Sequence, residues 1–112
     1  MYGEEADLCL RGIAEGLQPM ITPKAEIVHY GAASDTVRAD KIVRLLAAKM
    51  SLIERHFPKA RRAIGRQLLR LWPLSRAIVL RIGGGDARRD KAAEWSEVWA
   101  RRAEWQTGFA PD

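Results

Sequence analysis

The chain has 112 residues, of which 47% are hydrophobic and 29% are charged, and it contains a single cysteine, Cys9. This composition fits one small domain with a hydrophobic core and excludes a disordered chain, an internal disulfide framework and a zinc site built from several cysteines. Residues 1–36 carry 2 basic and 6 acidic groups, residues 37–82 carry 12 and 2, and residues 83–112 carry 5 and 6. The basic middle favours an anionic partner such as phosphates, nucleic acid or a membrane surface.

The first predicted element is a helix over residues 4–16. Carboxylates stand in its first turn, where the helix dipole favours them, and Gly16 is a natural C-cap. Pro19 and Pro23 then interrupt the chain, and the β-forming segment Ala25–Tyr30 predicts a short strand. The apolar residues that recur at helical spacing along the first helix are Ala6, Cys9, Leu10, Ile13, Ala14 and Leu17.

Three further helices are predicted after a loop over residues 31–35. They run from Val37 to Phe57, from Lys59 to Ile82 with a bend at Pro73, and from an N-cap at Asp86 to about Gln106. The fold class is therefore mainly α, with about four helices and one short β-element near residues 18–30. The face of the last helix that we expect to serve in packing carries Trp95, Val98, Trp99 and Trp105.

The helix over residues 59–82 has two unlike faces. Five arginines fall within a sector of about 140°, and a wide apolar face lies opposite. This pattern is typical of a helix on an anionic membrane surface, and it equally fits an ordinary helix that packs its apolar face on the core. The arginines are Arg62, Arg66, Arg70, Arg76 and Arg81. The apolar residues are Ile64, Leu68, Leu71, Trp72, Ile78, Val79 and Ile82.

Two motifs near the N-terminus contain the candidate catalytic and metal-binding residues. They are YGEEADLCLR at residues 2–11 and PKAEIVHYGAAS at residues 23–34. Taken singly, Asp7 and Arg11 fit an ordinary i,i+4 ion pair, and His29 fits a structural strand residue. In their order and spacing the two motifs resemble inverting family 2 glycosyltransferases, in particular the bacterial rhamnosyltransferase-like members that build surface polysaccharides. The fold implied is the carboxyl-terminal portion of a GT-A α/β glycosyltransferase.

The resemblance implies transfer of a sugar from a nucleotide-diphosphate donor to an acceptor hydroxyl, with inversion at the anomeric carbon. Glu5 would be the general base, because a carboxylate can accept the hydroxyl proton. Glu4 and Asp7 would shape the acceptor side, and Arg11 would orient them as a substrate-binding residue. His29 would lie beside a divalent metal, Mg²⁺ or Mn²⁺, on the diphosphate of the full-length enzyme.

The chain also departs from the family pattern. Glu4-Glu5 replaces the usual Glu-Asp pair, and residues 31–34 read Gly-Ala-Ala-Ser where the family often has Gly-Gly-x-Ser. An Asp-x-Asp metal motif and a βαβ series, which the family's nucleotide-binding half carries, do not precede Glu4. We therefore expect a C-terminal fragment that lacks this half. Residues 1–36 would end the catalytic domain and residues 37–112 would form a C-terminal helical region, and the isolated chain would be inactive and bind no metal.

The expected partners of the full-length enzyme are a nucleotide sugar and a polysaccharide or lipid-linked acceptor. The isolated chain is expected to form a homo-oligomer, because residues 4–16 and 25–30 would otherwise leave apolar faces open. No signal peptide or membrane-spanning segment is recognisable, which predicts a cytoplasmic location. The helix with the arginine face leaves open a peripheral position on the inner face of the cell membrane. A nucleic-acid-binding motif is lacking, so no nucleic-acid partner is expected. The alternative is a stand-alone helical interaction or membrane-surface module without catalysis.

Overall fold

The computed structural model describes residues 2–26, 28, 38–82 and 85–110, and 75% of these residues are helical. This content confirms the mainly α prediction. The β-element predicted near residues 18–30 is not found at residues 18–26 or 28, and its other positions lie outside the described residues. The helices that the structure describes are α1 (Glu4–Ala14), α2 (Arg38–His56), α3 (Lys59–Ile82), α4 (Asp86–Ala100) and α5 (Arg102–Trp105).

Helix α2 is the centre of the fold, and α3, α4 and α5 all pack against it. Because α2 has neighbours on several sides, its buried residues are not confined to the single apolar face that the sequence indicates. Helical spacing places Leu45 and Phe57 on one face with Ile42, Leu46 and Met50, yet Leu45 and Phe57 are exposed. The buried core consists of Ala39, Val43, Leu46, Ala47, Met50, Val98 and Trp105, with Ile42, Leu69, Trp72 and Trp99 packed around it.

The predicted tryptophan face is confirmed as a packing face. Trp105 is completely buried, and its Nε1 donates a hydrogen bond to the backbone oxygen of Val98 over 3.0 Å. Its ring centroid lies 6.5 Å from that of Trp99. The single helix predicted from Asp86 to Gln106 is interrupted at Arg101, which separates α4 from α5. This break directs Trp105 into the core beside α2.

Helix α3 packs through a different face from the one that its apolar residues suggest. Gly65 makes the close approach to α2, since a Cβ there would lie 3.3 Å from Ile53. Further along, Pro73 and Ala77 are buried. Of the seven residues on the wide apolar face, only Trp72 packs against the core and the other six are exposed, so the interpretation of α3 as a helix that packs this whole face on the core is wrong. Among the described residues, no helix combines the length and the apolar character that crossing a membrane requires.

Helix α1 is attached mainly through its N-terminal turn, and none of its residues is buried. It ends at Ala14, and the predicted C-cap residue Gly16 lies two positions further on, where its φ of +81° gives the left-handed conformation that closes the helix. The N–H groups of Gly16 and Leu17 donate to the oxygens of Ile13 and Gly12, which is the Schellman arrangement. Cys9, expected to be a small core residue, is exposed, because the predicted apolar face of α1 has no neighbour in the described structure.

Candidate functional site

An open cleft of about 440 Å³ lies where the N-terminal turn of α1 meets the second half of α2. Gly3 allows this close approach, because a Cβ at its position would lie 3.4 Å from Ala48 and 3.5 Å from Leu52. The cleft combines carboxylates, one arginine and apolar side chains, which is the mixture found in small-molecule sites. Its lining residues are Tyr2, Gly3, Glu4, Asp7, Ala48, Ser51, Leu52, Arg55, Phe109 and Ala110.

Asp7 is the most constrained carboxylate of this cleft. Its Oδ1 lies 2.8 Å from Nε2 of His56 and 3.6 Å from Nη1 of Arg55, and its Oδ2 accepts a hydrogen bond from Nε of Arg11 over 3.0 Å. The hydrogen bond with His56 is the main cause that lowers the pKa of Asp7, and the positive charges of Arg11 and Arg55 lower it further. Asp7 therefore remains ionised, and it fixes α1 to the end of α2.

The two neighbouring glutamates are placed differently. Glu4 lines the cleft, and its carboxylate accepts a hydrogen bond from the backbone N–H of Tyr2. The pKa of Glu4 is lowered, chiefly because its own backbone N–H hydrogen-bonds to the carboxylate. Glu5 is exposed and does not line the cleft. The structure thus brings Glu4 and Asp7 together and leaves Glu5 beside them in the same helical turn.

The far wall of the cleft comes from the C-terminal segment. The backbone N–H of Phe109 donates to Oγ of Ser51 over 2.8 Å, and that hydroxyl donates to the oxygen of Ala47. Gly108, with a φ of +74°, lies so close to Ser51 that a Cβ there would be 2.6 Å from its Oγ. The wall therefore depends on a glycine and on a hydroxyl of α2.

The residues around Asp7 do not fit a divalent metal ion. Arg11, Arg55 and His56 already contact its carboxylate, and the positive charge of the two arginines opposes the binding of a metal cation. No group of three or more histidine, cysteine, aspartate or glutamate side chains that could hold a metal occurs within the described part of the chain. His29, the predicted metal-site residue, lies outside the described residues. We therefore derive no chemical step through a metal.

Asp7 and Arg11 are predicted as site residues from the first motif, whereas the local sequence indicates no role for Arg55 or His56. The available signal was the charge distribution, because an acidic first segment precedes a strongly basic one. Opposite charges on neighbouring elements tend to pair when the chain folds. The partner of Asp7 on α2 is 49 residues away in the chain, so local spacing does not reveal it.

Comparisons with known proteins do not add a relative, since no protein-family model, curated protein or solved structure matches the chain. The likeness to family 2 glycosyltransferases therefore rests on the residues of the two N-terminal motifs.

Proposed function

We propose that the chain is the carboxyl-terminal part of an inverting glycosyltransferase that transfers a sugar from a nucleotide-diphosphate donor to an acceptor hydroxyl in cell-surface polysaccharide synthesis. The observation that carries this proposal is the cleft at the start of α1, where Glu4 and Asp7 face the same space. Of the three carboxylates in the first motif, these are the two that the resemblance assigns to the acceptor side. The third, Glu5, belongs to the same helical turn.

The charges around Asp7 support a binding role for this residue. A carboxylate with a lowered pKa is a weak proton acceptor, but it is a good hydrogen-bond acceptor for sugar hydroxyls. Arg11, Arg55 and His56 hold its position and its charge. Asp7 would thus orient an acceptor and leave the proton transfer to another group.

Glu5 has the properties that a general base requires in this scheme. Its carboxylate is exposed and makes no hydrogen bond or ion pair with the rest of the described chain. When the acceptor hydroxyl attacks the anomeric carbon, Glu5 would take the hydroxyl proton, and the bond from that carbon to the diphosphate would break. The remainder of the donor site would come from polypeptide outside these 112 residues.

The exposed apolar residues of α1 also support the proposal that this chain is part of a larger protein. Leu8 is 64% exposed, Ile13 56% and Leu17 67%, although all three are large apolar residues. Exposed apolar residues on one short helix are typical of a surface that another polypeptide covers. A neighbouring domain of the same enzyme would cover it, and a second copy of the chain could do so in isolation.

The test begins with the protein as its gene encodes it in full, assayed for nucleoside-diphosphate release from a panel of nucleotide sugars. Glu5→Gln keeps the size and removes the proton acceptor, so we expect the rate to fall by about 10²–10⁴-fold. Glu15→Gln is the matched control, because Glu15 is an exposed glutamate just after the same helix. Its substitution should leave the rate within about twofold.

Each result has a defined meaning. A rate unchanged by Glu5→Gln would remove Glu5 from the mechanism, and a non-catalytic helical module would show no transfer from any donor. Residues 1–112 alone should show no sugar transfer, because they include no nucleotide-binding half. Robust turnover by residues 1–112 would contradict the proposal that they are only part of the enzyme.

A further inference from the structure

One face of α3 is apolar, exposed and without a neighbour in the described structure. Its six large side chains are between 50% and 80% exposed, although the helix is otherwise packed against α2 and α4. At 100° per residue they all fall on one side of the helix, and they extend from position 64 to position 82, which is about 27 Å along the helix. The residues of this surface, called here the α3 apolar face, are Ile64, Leu68, Leu71, Ile78, Val79 and Ile82.

The charged residues of α3 are all of one sign. Its 24 residues include seven lysines and arginines and no aspartate or glutamate. At 100° per residue Arg61 falls at one edge of the α3 apolar face, and Arg76 lies on the same side, about 60° beyond that edge. Both are exposed, and neither makes an ion pair within the described part of the chain. An apolar row with free cations on one side of it matches a surface that offers both hydrocarbon and negative charge.

Three other arginines of α3 contact the protein itself, and Nε of Arg62 donates to the backbone oxygen of Phe57 over 2.9 Å. Nε of Arg66 lies 2.9 Å from Oε1 of Glu54, and Arg81 donates a hydrogen bond to Oγ of Ser96 on α4. The half-buried Arg70 differs, since its Nε has no hydrogen-bond partner among the described residues. Ser75 lies among the apolar residues, but its hydroxyl is satisfied by a hydrogen bond of 2.8 Å to the oxygen of Trp72. The face therefore presents no unsatisfied hydroxyl to an apolar environment.

We infer that the α3 apolar face binds the surface of a bilayer that contains anionic phospholipids, with α3 parallel to the membrane plane. The apolar side chains would enter the boundary between headgroups and acyl chains, and Arg61 and Arg76 would contact the phosphates. Charge favours an anionic surface over a second copy, because α3 carries seven cations and no carboxylate, so a second α3 on this face would offer its flanking arginines no negative partner. This inference does not depend on the proposed sugar transfer.

The experiment measures the partition of residues 1–112 onto vesicles of phosphatidylcholine with about 30% phosphatidylglycerol. We expect binding that is at least tenfold weaker on pure phosphatidylcholine and that weakens in about 1 M salt, where charges are screened beyond about 3 Å. Replacing Arg61 and Arg76 by glutamine should weaken binding about fivefold for each charge removed.

The decisive variant is Leu68→Gln with Ile78→Gln, which should weaken vesicle binding at least tenfold. Its matched control is Leu8→Gln with Ile13→Gln on α1, which removes the same residue types at 64% and 56% exposure, against 65% and 50% on α3. Far-UV circular dichroism checks that both variants keep their helices, as exposed positions should allow.

Three results would overturn the inference. The first is absence of binding by the folded chain to the anionic vesicles. The second is equal loss of binding in the α3 variant and the α1 control, because the α3 face would then have no special role. The third is a dimer in light scattering that the α3 variant converts to a monomer while its vesicle binding is unchanged, which would assign the face to a second copy.

Discussion

Trp105 is the largest side chain that the fold buries completely, and its replacement tests whether α5 closes the core. Trp105→Ala removes the indole from contact with Trp99 and removes the donor to the oxygen of Val98. Such a change in a core lowers the free energy of unfolding by about 3–5 kcal/mol. That is a large part of the roughly 5–15 kcal/mol available to a small domain. Trp105→Phe keeps most of the packing, so the free energy of unfolding should fall only by about the cost of one unpaired carbonyl, about 1–3 kcal/mol.

Urea unfolding followed by far-UV circular dichroism measures these losses. With a slope of about 2 kcal/mol per molar urea, Trp105→Ala should lower the midpoint by about 2 M. Leu68→Ala on the α3 apolar face is the control, and its change should stay within about 0.5 kcal/mol because the side chain is exposed. The reasoning is refuted if Trp105→Ala costs less than about 1 kcal/mol or if the Leu68 control costs as much.

The pKa of Asp7 lies below its ordinary value of 3.8, so its contribution to α1 attachment is complete above that pH and is lost as the pH falls below it. The amide resonances of Ala48 and Leu52 should therefore shift as the pH falls below about 3.8, and Asp7→Asn should abolish this change. Gly108→Ala should lower the free energy of unfolding by about 1–3 kcal/mol through backbone strain alone, and by more because the added Cβ would contact Ser51. The control is Gly16→Ala, whose Cβ would meet nothing within 4 Å, so it should show the backbone strain only. Equal losses for the two variants in a thermal melt would contradict this. Cys9 should react with a thiol reagent in the native protein as fast as in urea, and protection in the absence of denaturant would show that α1 is covered.

The helices could be predicted because their signals are local. The C-cap at Gly16 requires a residue that tolerates positive φ, and Pro58 stands directly before the first residue of α3. The break at Arg101 has no such signal, because neither glycine nor proline marks it. It arises from contacts with distant residues, since Arg101 pairs with Asp40 on α2 as well as with Glu104.

The candidate site was predictable only in part. The carboxylates of the first turn were found from their order in the chain, and the ion pair between Asp7 and Arg11 follows from helical spacing. The contribution of His56, and the separation of Glu5 from the cleft, depend on how α1 sits on α2. That orientation comes from the approach of Gly3 to Ala48, which no local pattern encodes.

The sequence by itself determined the helical content, the tryptophan packing face and the division into an acidic first segment and a basic middle, because these depend on local composition and spacing. Helical periodicity also separates the two faces of α3, but it does not decide which face is buried. The tertiary structure decided that, because Gly65 and Ala77 are small enough to let α3 approach its neighbours closely, whereas the larger side chains of the α3 apolar face remain outside.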